Sequence, residues 1–156
     1  MINRNIKSPK VSILVANYNN AFYLARCIKS LDRQTYKKKE IIVVDDQSTD
    51  DSLEILKKFK DKIIIIKNKK KKFNVGSYDQ MNAYKTALKK STGEIIFFLD
   101  SDDFFRNNKI NEIVNYFIRN KNQKIAMDKP IIFFNRKNKF KLKKRSEEHT
   151  SELQSH

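Results

Sequence analysis

The chain has 156 residues, with 34 lysines and arginines against 18 aspartates and glutamates and a formal net charge of +16. That length suffices for one domain with a real core. A single cysteine, Cys27, excludes an internal disulfide, and no apolar run approaches the ~20 residues of a membrane-spanning helix.

Residues 1–9 read as an N-terminal extension, with no apolar stretch of the kind a secretory signal needs. Lys10–Ala16, KVSILVA, reads as a first buried strand ending on Asn17-Tyr18-Asn19-Asn20, where asparagine can cap the next helix. From Ala21 to Gln34 the apolar positions Phe22, Leu24, Ala25, Cys27, Ile28 and Leu31 recur at helical spacing and are expected to face inward. Cys27 reads as a core residue rather than a nucleophile. Glu40–Val44 is a second strand, ending on Asp45-Asp46. Gln47–Asp50 is turn and cap chemistry, and Ser52–Phe59 is an amphipathic helix. Lys62–Ile66 is a third strand, followed by a lysine-rich loop to Gly76. Ser77 is expected to cap a helix to about Lys90, with Met81, Ala83, Tyr84, Ala87 and Leu88 inward. Ile95–Leu99 reads as a central strand buried on both faces. Asn107–Arg119 is a further helix, and Pro130–Phe134 one more strand, begun at a proline that cannot donate to a ladder. Strand and helix alternate throughout, which is the pattern of an α/β, doubly wound, mostly parallel sheet.

The polar clusters follow strands. In an open α/β sheet, ligands bind at the carboxyl ends of the strands, and Asn17–Asn20, Asp45-Asp46 and Asp100–Asp103 all sit there. Asp100, Asp102 and Asp103 end the most apolar run in the chain. Two carboxylates ~5 Å apart repel by roughly 3 kcal/mol at an effective dielectric of about 20, and a divalent cation with oxygen ligands offsets that repulsion. A polar turn with one aspartate capping the next helix explains one of the three acids and leaves two without a reason. Neither a G-x-G-x-x-G after the first strand nor a G-x-x-x-x-G-K-[ST] occurs, so phosphates would be bridged by Mg2+ or Mn2+ rather than cradled by glycines.

Taken in order, VSILVANYN (Val11–Asn19), VVDDQSTDDS (Val43–Ser52), the segment from Gly76 to Asn82 and GEIIFFLDSDD (Gly93–Asp103) resemble the N-terminal half of an inverting, family 2-type glycosyltransferase with the GT-A fold. The resemblance covers roughly Lys10–Ile118. It implies a Rossmann-like half that binds a nucleotide-sugar donor, most simply a UDP-sugar, for transfer to a hydroxyl of a glycan or lipid-linked acceptor. Bacterial surface-glycan synthesis is the implied setting, in the cytoplasm or at the inner face of the plasma membrane. By the same resemblance Ala16 and Tyr18 line the base pocket, and Asp46 hydrogen-bonds the base with Asp45 in support. Asp100-Ser101-Asp102 is the D-x-D. Asp100 lies near ribose and metal, and Asp102 ligates the cation that bridges the diphosphate. Basic residues of the Lys69–Lys72 loop are candidates for phosphate contact. Two departures stand out. The family's first strand usually ends in a small pair such as Pro-Thr, where this chain has Ala16-Asn17. The family's general base is a carboxylate of the second half, and Asp128, set in AMDKP, does not match it. The catalytic base is therefore unknown, and this fragment is expected to bind its donor without a full catalytic set.

Lys, Asn, Ile and Phe make up 73 of the 156 residues. All four have A/T-rich codons, so part of the lysine excess reflects genome bias. A solvated basic surface is the first reading of the charge, attraction to a membrane surface the second, and specific nucleic-acid binding the third. The last twelve residues, RSEEHTSELQSH, contain none of those four amino acids and hold both histidines. They resemble translated sequencing-adapter sequence and are read as a non-native tail, 145–156. The nucleotide-sugar-binding domain is then 10–144, incomplete at its C-terminal end, and histidine catalysis drops out. The alternative function is a Mg2+-binding, receiver-like signalling domain, which also clusters aspartates at strand ends. It would need an acidic pair after the first strand, where this chain has Asn-Tyr-Asn.

Overall fold

The computed structural model describes residues 8–68, 76–127, 133–136 and 139–142. The chain divides into two compact units, Met1–Gln123 and Lys124–His156. The first contains β1 (Val11–Asn17), α1 (Ala21–Asp32), β2 (Lys39–Asp45), α2 (Ser52–Lys57), β3 (Ile64–Lys67), α3 (Gly76–Leu88), β4 (Ile95–Asp100) and α4 (Lys109–Arg119). The four strands form one parallel sheet in the order β3-β2-β1-β4. In the second unit β5 (Phe133–Arg136) pairs antiparallel with β6 (Lys139–Leu142). The expected strand at 130–134 overlaps β5, while β6 was hidden in a lysine-rich run. Asp128, the Lys69–Lys72 loop and the tail 145–156 lie outside the described residues.

β1 and β2 are apolar on both faces because helices cover both. On one face Val11, Ile13, Val15, Ile41 and Val43 meet Leu24, Cys27, Ile28 and Leu31 of α1, Leu56 of α2, and Ile110 and Val114 of α4. On the other, Leu14, Ala16, Ile42 and Val44 meet Ala83 and Ala87 of α3. The Cys27 thiol is fully buried, and burial first, then the Asp103 and Asp102 carboxylates, push its pKa up to about 12. It is inert core, as expected.

Three expectations from the pattern need correction. The strand read as central and doubly buried is the edge strand β4, and Phe98 is 56% exposed. α3 crosses over β1 and β2, and its Tyr84 ring meets Phe98 in a T-shaped contact, centroids 5.1 Å apart. Phe22 points outward at 88% exposure, because the covered stripe of α1 runs through Leu24, Cys27, Ile28 and Leu31. Met81 and Leu88 are also exposed, since α3 meets the sheet through the small Ala83 and Ala87 and its flanks stay in solvent.

At the amino ends of the strands, Ser12 Oγ accepts the Gly93 N–H at 2.8 Å and donates to Glu40 Oε1 at 2.5 Å. A Cβ on Gly93 would stand 2.5 Å from the Ser12 backbone nitrogen, so this close approach admits glycine.

Candidate functional site

Parallel registry aligns the carboxyl ends of three strands. Asn17 pairs with Asp45 and Ala16 with Asp100, so the polar clusters after β1, β2 and β4 meet along one sheet edge. They border a cleft of about 590 Å3 lined by Ala16, Asn17, Tyr18, Asn20, Asp46, Ser77, Asp79, Gln80, Ala83, Asp100, Ser101 and Asp102. Five of the six site residues expected from the sequence are on that wall. The sixth, Asp45, is 1% exposed and faces the turns behind it.

One side of the cleft is built by two turns tied together. Asp45 Oδ1 accepts from Asn17 Nδ2 at 2.9 Å and from Ser48 Oγ at 2.6 Å, and its Oδ2 accepts the Ser48 N–H at 3.1 Å. Asn19 takes a left-handed backbone, φ 49°, which asparagine tolerates. Its side-chain oxygen accepts the Thr49 N–H at 2.7 Å. The expected asparagine cap of α1 is replaced by Asp50, whose Oδ2 accepts the Ala21 N–H at 2.8 Å while Oδ1 accepts the Ser52 N–H of α2 at 3.0 Å. Asp46 sits in front of this knot, 4% exposed, and its Oδ1 accepts from Asn68 Nδ2 at 2.9 Å. Tyr18 stands at the rim, 46% exposed.

The other side carries the acids. One oxygen each from Asp100, Asp102 and Asp103 lies within 4.8 Å of the others. Asp103 closes a turn by donating its N–H to the Asp100 carbonyl at 3.0 Å. Burial, then the Asp102 and Asp100 carboxylates, raise the Asp103 pKa, and Arg26 offsets part of this. Three hard oxygen donors that crowd one another in this way fit a divalent cation such as Mg2+ or Mn2+. Asp100 Oδ1 accepts from Gln80 Nε2 at 2.9 Å and from the Tyr84 hydroxyl. Burial and the adjacent Asp100 push the Tyr84 pKa up. Ser101, 1% exposed, accepts from Asn20 Nδ2 at 2.9 Å and so ties the acidic turn to the end of β1.

Sequence reasoning placed Asn17 in a polar cluster at a strand end but missed Asn68, Gln80 and the polar role of Tyr84. The i, i+4 spacing of Gln80 and Tyr84 was a usable signal, since it places two hydrogen-bonding groups on one face of α3.

The signature of glycosyl transferase family 2 matches residues 12–155. The chain is 42% identical over 107 residues to the Escherichia coli UDP-Glc:alpha-D-GlcNAc-diphosphoundecaprenol beta-1,3-glucosyltransferase WfaP, covering 68% of this chain and 40% of that protein. It is 36% identical over 111 residues to the Staphylococcus aureus poly(ribitol-phosphate) beta-N-acetylglucosaminyltransferase TarP, covering 69% of this chain and 32% of that protein. The crystal structure of S. aureus TarS 1-349 in complex with UDP-GlcNAc superposes with a TM-score of 0.63 at 28% identity, covering 70% of this chain and 31% of that one. The chain thus spans between a third and two fifths of the length of these curated relatives. Its parallel sheet with helices on both faces is the Rossmann-like half of a GT-A fold.

Proposed function

Because the chain belongs to glycosyl transferase family 2, we propose that its cleft holds the nucleoside diphosphate of a sugar donor through a divalent cation. The observation that carries this reading is that Asp46, after β2, and Asp100 and Asp102, at the end of β4, line one cleft of about 590 Å3. That volume is in the range of small-molecule sites. Asp46 accepts an N–H of the base, and Ala16 and Tyr18 border the ring. Asp45 acts from behind by fixing the turn that presents Asp46. Asp100 and Asp102 hold the cation, with Asp103 close enough to be a third ligand. When bound, the cation supplies Lewis-acid stabilisation of the departing diphosphate. The chain's own residues bind and orient the donor for attack by an acceptor hydroxyl.

A uridine nucleotide and a lipid-linked or polymeric surface-glycan acceptor are proposed from relatives named for UDP-Glc, UDP-GlcNAc, diphosphoundecaprenol and poly(ribitol-phosphate) substrates. Work at the inner face of the plasma membrane follows from such an acceptor. Among the described residues, no helix is long and apolar enough to cross a membrane. The receiver-like alternative gives way to the family membership and to the buried, amide-bearing Asn17 at the end of β1.

The test is calorimetric titration of the 156-residue chain with UDP, with and without Mn2+. Mn2+ should tighten UDP at least tenfold, and Asp102→Asn should remove that gain. UDP affinity indifferent to Mn2+, Mg2+ and EDTA alike would sink the reading.

A further inference from the structure

The acids of the cleft come from two sources. Asp100 ends a strand, while Asp102 and Asp103 ride on the loop between β4 and α4. That loop has no ladder to fix it, yet it is bonded to α1 and to the residue just past its end. Arg26 and Ser30, four residues apart, lie on one face of α1, and Gln34 follows two residues after its last residue, Asp32. Arg26 Nη2 donates to the Asp102 carbonyl at 3.1 Å, and Ser30 Oγ accepts the Phe105 N–H at 3.1 Å. Gln34 donates through Nε2 to the Arg106 carbonyl at 2.7 Å and to the Ser30 carbonyl at 3.0 Å, and its Oε1 accepts the Ile110 N–H at 3.2 Å. Gln34 is fully buried. Its partners are backbone groups, which an apolar side chain in its place would leave unpaired. What the amide adds here is a fixed path for a backbone that would otherwise be free to shift.

We propose that Gln34, with Ser30, is a positioning residue for the cation site: it fixes the loop-borne Asp102 and Asp103 against the strand-borne Asp100. The inference rests on the cation reading above and deepens it. A shift of 1 Å in a ligand oxygen is large on the scale of 2.0–2.6 Å coordination distances. Loosening the loop therefore weakens the metal-dependent part of donor binding. It leaves the base side, built on the turns after β1 and β2, unaffected.

The experiment uses the 156-residue chain and its Gln34→Leu, Ser30→Ala and Ile28→Val variants, with UDP titrated with and without Mn2+. Exchange of the Phe105 amide hydrogen is followed in parallel. Ile28→Val trims the same helix at a core position without a loop bond. Gln34→Leu should cut the Mn2+-dependent gain in UDP affinity about tenfold and Ser30→Ala about threefold. In both, metal-free UDP affinity should stay within twofold and Phe105 exchange should quicken. Ile28→Val should keep the gain and the exchange rate, although it loses stability. Should Gln34→Leu fail to fold, Ser30→Ala decides the matter. A full Mn2+ gain in a folded Gln34→Leu, or in Ser30→Ala, overturns the proposal. Absence of any Mn2+ gain in the unsubstituted chain is a different result, which overturns the proposed function and this inference with it.

Discussion

The Tyr84 hydroxyl donates to Oδ1 of Asp100, the oxygen that Gln80 also reaches at 2.9 Å. The Tyr84 ring packs with the core of the α3 face, so a rigid aromatic holds the carboxylate from below. Two donors on one oxygen restrain the side-chain rotamer of Asp100. Tyr84→Phe keeps the ring and removes the donor. It should cost about 1 kcal/mol of stability and weaken Mn2+-dependent UDP binding three- to tenfold. Calorimetry with and without Mn2+ checks this, and an unchanged metal-dependent gain would show that Asp100 needs no such support.

The two walls of the cleft should fail separately. Asp46 faces the cleft from the turn after β2, whereas Asp102 belongs to the acidic turn after β4. Asp46→Ala should weaken UDP about tenfold in the presence and in the absence of Mn2+. Asp102→Asn should leave metal-free affinity within twofold and abolish the Mn2+ gain. A single pattern shared by both variants would mean that the acids do not divide base and diphosphate between them.

Asp45 and Asp46 are neighbours in sequence with opposite expected phenotypes. Asp45 is bonded to Asn17 and twice to Ser48, and is almost completely buried. Asp45→Ala leaves the Ser48 N–H without its acceptor and the Asn17 amide with Ser48 Oγ alone, at 3.2 Å, at a cost of about 1–3 kcal/mol. Urea unfolding should show a lower midpoint, with UDP affinity of the folded fraction changed by less than Asp46→Ala changes it. Equal stability of the two variants would remove the distinction.

The sheet was legible because buried parallel strands are short, apolar and β-branched, and because each ends on a burst of polar residues. The acids of the cleft were legible for the same reason: Asp46, Asp100 and Asp102 sit where such strands emerge. The periodicity of α1 located a helix but not the width of its covered stripe, so Phe22 was assigned to the core and stands in solvent. In α3 the contact is made by Ala83 and Ala87, which weigh little in an apolar pattern, and the larger Met81 and Leu88 misled it. Asn68 and Gln34 were invisible to pattern reading, and Gln80 showed only through its i, i+4 spacing with Tyr84. A lone amide looks the same on a wet surface and in a buried network, and its partners are 22, 20 and up to 76 residues away. Such pairs exist only once the chain has crossed back over itself.

Far from the cleft, a carboxylate at the start of β2 makes stability depend on pH. Glu40 accepts from Ser12 Oγ at 2.5 Å and from the Thr92 N–H at 2.7 Å, and pairs with Lys10 Nζ at 2.6 Å. Burial raises its pKa, but the bonds from Lys10, Ser12 and Thr92 outweigh that and hold it at about 2 against the usual 4.5. A carboxylate whose pKa is depressed by folding stabilises the protein above its unfolded pKa, and that contribution is lost as pH falls through the folded value. The window is therefore about pH 4.5 down to about 2. The shift corresponds to roughly 3 kcal/mol at neutral pH, an upper figure because Lys10 is partly in solvent and its charge is screened. Other carboxylates titrate over the same range, Asp50 among them with a lowered pKa, so the quantity to measure is a difference. Urea unfolding of the chain and of Glu40→Gln should give stability curves that are well separated at pH 7 and converge between pH 4.5 and 2. Curves that stay parallel through that window would mean that the Ser12–Glu40–Thr92 knot holds its place without the charge.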